Sequence, residues 1–119
     1  GKRGERWIVK KMIEHGWKRA TRVDQSRGGE APDVDGTPFR IESKYGKKHF
    51  YEKALNKALE DAEEANDYRP VVVVHRKPYK DGIVTMQFST FLWLIENFVH
   101  PKAVDEYLAR GVDDWSEDE

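Results

Sequence analysis

Four consecutive valines, Val71–Val74, directly after Pro70, constrain this chain most. β-Branched side chains favour the extended backbone. A strand with no polar alternation offers no face to water, so it belongs inside a sheet covered on both sides. The segment before it, Tyr51–Asn66, reads as a helix. Leu55, Ala58, Leu59, Ala62 and Ala65 mark one face, and Glu60, Glu63 and Glu64 the other. Its alanines suit close packing against a sheet. A first helix is expected over Glu5–His15, with Trp7, Ile8 and Met12 as its apolar stripe and Gly16 as its stop. Strands are expected at Trp17–Val23, Asp33–Asp35, Phe39–Tyr45 and, at an edge, Ile83–Phe88. Ser89-Thr90 is expected to cap a helix over Phe91–Phe98, whose apolar residues read as core, and Pro101–Arg110 is a last short helix. The order α-β-β-β-α-β-β-α predicts an α/β sandwich, a central mixed sheet flanked by helices. Residues 1–98 form the main domain, and residues 99–119 a short helix and an acidic tail.

A chain of 119 residues is expected to be one domain with one core. It has no run of 18 apolar residues and no apolar stretch after Gly1-Lys2-Arg3-Gly4, so neither a membrane span nor a secretory signal is expected. The expected location is cytoplasmic. Without cysteine, any metal must be held by oxygen or imidazole. The four histidines show no metal-ligand spacing. The net charge of −1 hides an asymmetry. Residues 1–50 carry 13 Lys/Arg against 7 Asp/Glu, a balance of +6, whereas residues 99–119 carry 2 against 7, a balance of −5. A basic half suits a polyanionic partner.

Within that half, Ala31-Pro32-Asp33-Val34-Asp35-Gly36 is followed by Ile41-Glu42-Ser43-Lys44. Alternation along a strand puts Arg40, Glu42 and Lys44 on one face and Phe39, Ile41 and Ser43 on the other. Two carboxylates and an ammonium at one sheet edge can hold a divalent cation beside a phosphate. Mg²⁺, with Mn²⁺ as substitute, takes hard oxygen ligands. Asp33, Glu42 and the Ser43 carbonyl supply three, and Lys44 serves the attacking water. Asp35, two residues on, faces the same side and competes with Asp33 for the first role. The plainer reading is a solvated strand face of ordinary ion pairs.

Pro32-Asp33 with Glu42-Ser43-Lys44 resembles the PD-(D/E)xK nuclease signature. A leading helix with Gly4-Glu5-Arg6, a Ser/Gly-rich loop before Pro-Asp, and a helix and Val-rich strand after Glu-x-Lys extend the likeness over residues 3 to 95. The whole arrangement resembles archaeal-type Holliday junction resolvases, some of them phage-carried. The resemblance implies a restriction-endonuclease-like fold, a homodimer, and Mg²⁺-dependent paired nicks across a four-way DNA junction. It also implies that Glu5 joins the metal site and that Ser26 acts in catalysis. The gap of eight residues between Asp33 and Glu42 is short for the wider signature.

Arg3, Arg6, Arg27, Lys47, Lys48 and Lys53 are the candidate DNA contacts, with Lys57 continuing the track along the helix. Two rival readings stand beside the resolvase. One is a nuclease of the same fold acting on flaps, nicks, mismatches or any duplex. The other is a DNA-binding module without activity. An exposed part of the Phe91–Phe98 cluster would mark the dimer face.

Overall fold

The computed structural model describes residues 2–24 and 30–111. Its elements are α1 (Lys2–Glu14), β1 (Thr21–Arg22), β2 (Val34–Asp35), β3 (Arg40–Tyr45), α2 (Tyr51–Glu64), β4 (Val71–Arg76), β5 (Gly82–Thr85), α3 (Phe88–Phe98) and α4 (Pro101–Arg110). The five strands form one mixed sheet in chain order. β1, β2 and β3 are antiparallel neighbours, β3 and β4 are parallel, and β5 returns antiparallel at the edge. The parallel step needs a crossover, and α2 provides it.

The valine run is where its sequence requires it to be, inside the sheet with both faces covered. Val72 packs with Trp7, Ile8, Val34 and Ile41 on the α1 side. Val71 and Val73 pack with Ala58 and Ala62 of α2 on the other. Successive β4 residues thus serve two cores, which fixes α1 and α2 on opposite faces.

Helix α1 lies tight against β3 because residue 4 is glycine. A Cβ there would stand 2.7 Å from Ser43 Oγ and 2.9 Å from Tyr45 Cβ. The helix ends as expected at Gly16, which has φ +104. Gly16 N–H donates to Ile13 O and Trp17 N–H to Met12 O, satisfying two terminal carbonyls. Residues 17–20 then turn, closed by Ala20 N–H to Trp17 O at 3.1 Å. The strand expected from Trp17 is therefore reduced to Thr21–Arg22. Asn66, at φ 52, makes the same kind of stop after α2.

The C-terminal helices depart further from expectation. α3 begins at Phe88 after Gln87, so Ser89 and Thr90 lie inside its first turn and cap nothing. None of its residues is buried. Phe91, Leu92, Trp93, Ile95 and Phe98 are 39–70% exposed. The expectation that this cluster is core is corrected: it is an open apolar surface, continued on α4 by Val104, Tyr107 and Leu108. Among the described residues, no helix is long and apolar enough to cross a membrane.

Candidate functional site

The β2–β3 pairing aligns Val34 with Ile41. Asp33 hydrogen-bonds back to the Ile41 carbonyl through its own N–H, and its side chain crosses the end of the pair, where Oδ2 accepts the Ser43 N–H at 2.8 Å. Ser43 N–H and C=O point to the same side of their strand, so the Ser43 carbonyl faces the Asp33 edge too. The Ser43 side chain does not: its Oγ is buried toward α1 without a hydrogen-bond partner. Any part Ser43 plays is a main-chain part.

Glu42 stands beside Asp33. Burial, first, and the adjacent Asp33 carboxylate, second, push its carboxyl up to about 8; Asp61 adds to this and Arg40 opposes it. Its Oε1 is buried with no hydrogen-bond partner. The nearest cation, Arg40 Nη2, lies 3.6 Å away and is committed elsewhere. That guanidinium, 1% exposed, also binds Asp67 at 3.2 Å and the Glu30 carbonyl. Two carboxylates at one partly buried edge, one with an oxygen left unpartnered, form a place short of positive charge.

The competition between Asp33 and Asp35 is decided by Arg69. Its Nη1 holds Asp35 Oδ1 at 2.6 Å, and its Nη2 holds Asp67 Oδ2 at 2.6 Å. The Arg69 hydrogen bonds pull both carboxyls down, Asp67 to about 2. Asp35 belongs to that clamp, and Asp33 belongs to Glu42.

Glu5 is buried, but on the α1 side, where it accepts from Arg22 Nε at 3.1 Å. It is not brought to the Asp33–Glu42 pair. Among the described residues, no group of three or more His, Asp or Glu side chains stands close enough to hold a metal. Asp33, Glu42 and the Ser43 carbonyl are the oxygens available to a cation here. Ser26 and Arg27 lie outside the described residues. Arg3 and Arg6 line a concavity with Trp7 and Lys10 on α1, on the other face of the sheet from α2.

On the α2 face, Lys44 is exposed and opens into a groove of about 380 Å³ lined by Lys48, His49, Phe50, Lys53, Ala54 and Lys57. Lys48 and Lys53, candidate DNA contacts, line this groove beside Lys44. Lys47 is exposed on the same loop.

Two residues escaped the sequence reading. Asp61, buried on α2, pairs with Lys57 at 2.6 Å and adds its charge to that facing Glu42. The only hint was an acid set among Ala58 and Ala62 on the apolar stripe. His75 is aligned with Lys44 across the β3–β4 pair and is 2% exposed. Burial, then the neighbouring His49 and Lys44, press it down to about 4, so it stays neutral. His49 Nε2 donates to the Gly46 carbonyl at 2.8 Å. On His75, Nδ1 lies 3.4 Å from His49 Nδ1 and Nε2 lies 3.1 Å from Thr85 Oγ1, so each ring nitrogen has a partner. Tyr51 packs on the His75 ring at 4.5 Å. This chain moors the basic loop 46–50 to the sheet.

Comparison with protein-family models, with curated proteins and with solved structures gives no match.

Proposed function

We propose that this protein is a metal-dependent DNA endonuclease of restriction-endonuclease-like fold, acting on branched DNA, with the four-way junction as first substrate. One observation carries the reading: Asp33, just before β2, and Glu42, on β3, meet at a partly buried edge that is short of cation, with Lys44 two residues further along β3. Two carboxylates and a main-chain carbonyl are hard donors that suit Mg²⁺ or Mn²⁺. The bound ion would neutralise charge on the scissile phosphate and acidify a water. Asp33 and Glu42 hold the ion. Lys44 orients the water and stabilises the negative charge that develops on the phosphate. Lys48, Lys53 and Lys57 bind the backbone alongside. Glu5, engaged by Arg22, is not needed for this assignment. Paired cuts need two active sites, and the open apolar surface of α3 and α4 suits a homodimer contact.

The test is cleavage of a four-way junction and of linear duplex of the same sequence, with Mg²⁺ and with EDTA. Symmetric Mg²⁺-dependent nicks near the crossover support the reading. Equal cutting of the linear duplex moves the assignment to a general nuclease, and binding without cutting under Mg²⁺ and Mn²⁺ to an inactive module. Asp33→Asn and Glu42→Gln each lower the cleavage rate by about 10²-fold or more while junction binding survives. Full cleavage by either variant overturns the mechanism.

A further inference from the structure

Phe50 sits in the middle of the lysine groove and is 70% exposed. Nothing in the core accounts for it. It occupies the N-cap of α2, where a side-chain oxygen would satisfy a helix N–H, and it makes no such bond. The position thus gives up a stabilising cap for an aromatic ring held in water. Breaks with local preference are expected at functional or strained positions. The surroundings say what the ring meets. Lys44, Lys48, Lys53 and Lys57 line the same groove with no acidic side chain among the lining residues. An apolar protein partner would find this a poor seat, because four ammonium groups, that of Lys57 paired with Asp61, would be desolvated around one ring. A nucleic acid strand fits both features: its phosphates take the lysines and a base takes the ring face. A base inside a paired stack is not available to Phe50; an unpaired one is. The ring is also steadied, since the loop before α2 is tied to the sheet through Gly46, His49 and His75.

We infer that Phe50 stacks on an unpaired base of the bound DNA and gives the protein its preference for distorted over continuous duplex. This rests on the nuclease reading above and adds the feature of the substrate that is selected. The lysines bind any duplex; the ring discriminates.

The test uses the full chain in EDTA, so that no strand is cut, and two DNA probes of equal length. One is a continuous duplex; the other carries a single unpaired 2-aminopurine. Anisotropy gives affinity, and 2-aminopurine fluorescence reports stacking. Wild type is expected to bind the second probe more tightly and to quench its fluorescence. Phe50→Ala should lose at least about fivefold in affinity for that probe, the lower end for one base–aromatic stack, with little change on duplex and with quenching abolished. Phe50→Trp should retain both. Neither residue at position 50 offers a capping oxygen, so Phe50→Ala should leave α2 intact, which its circular dichroism checks. Tyr68→Ala removes another exposed aromatic, outside the groove, and should change nothing. If Phe50→Ala matches wild type on both probes while Lys48→Ala and Lys53→Ala weaken both, the stacking role is overturned and the nuclease reading stands. If wild type binds neither probe, the stacking role falls, and the nuclease reading is decided by cleavage of the four-way junction.

Discussion

Glu42 is held between two demands. Its burial and its acidic neighbours favour the protonated form, yet a cation site needs the carboxylate. The folded-state pKa, about 8, lies above the ordinary 4.5. A raised pKa contributes stability that is fully present below pH 4.5 and lost as pH rises through about 8. Metal-free protein should therefore melt at a lower temperature at pH 9 than at pH 6. Glu42→Gln, which cannot ionise, should remove much of that difference; thermal melts in EDTA at the two pH values check it. Mg²⁺ at pH 9 should restore stability to wild type and not to Glu42→Gln, because a ligand of the native state stabilises by mass action. The Pro-Asp and Glu-x-Lys residues were legible from their order alone. The separate fates of Asp33 and Asp35 were not, because Arg69 reaches Asp35 from 34 positions away in the sequence.

At the scale of elements, the sheet works because its strands read two ways. β4 alternates between the α1 core and the α2 core. β3 gives Ile41 and Ser43 to α1 while Arg40, Glu42 and Lys44 look to α2. Gly4 sets the closeness of α1, and any side chain there meets Ser43 and Tyr45. Gly4→Ala should cost about 1–3 kcal/mol through overpacking, measured by urea unfolding. Both helices before the valine run, and the run itself, were legible from periodicity. The strand after Trp17 and the start of α3 were not. A turn closed by a single hydrogen bond spans residues 17–20, and Gln87 serves as an N-cap without a side-chain bond, so neither boundary carries a residue that announces it. His75 was hidden for another reason. Its importance comes from the parallel register that sets it against Lys44, and register is a property of the pair of strands.

On the whole molecule, the C-terminal helices α3 and α4 carry a large exposed apolar surface. α3 is apolar in composition and has no buried residue, and α4 extends the exposed patch. A patch of this kind marks an association surface. The paired cutting proposed above would need a second copy as the partner. Sedimentation of wild type should give a dimer, and Leu92→Asp with Ile95→Asp a monomer that retains the native circular dichroism. A monomeric wild type at micromolar concentration sinks the dimer.

The sequence by itself determined that a doubly covered strand follows an alanine-rich helix, that two acids and a lysine fall on neighbouring segments, and that only oxygen or imidazole is available for a metal. These follow from local stereochemistry and residue type. Tertiary structure alone decided that Asp33, not Asp35, stands with Glu42, that Glu5 turns to Arg22, that His75 backs Lys44, and that the aromatic C-terminal helix lies open. Each depends on which distant residue the fold brings to a charge or an apolar face, and a linear pattern does not record that.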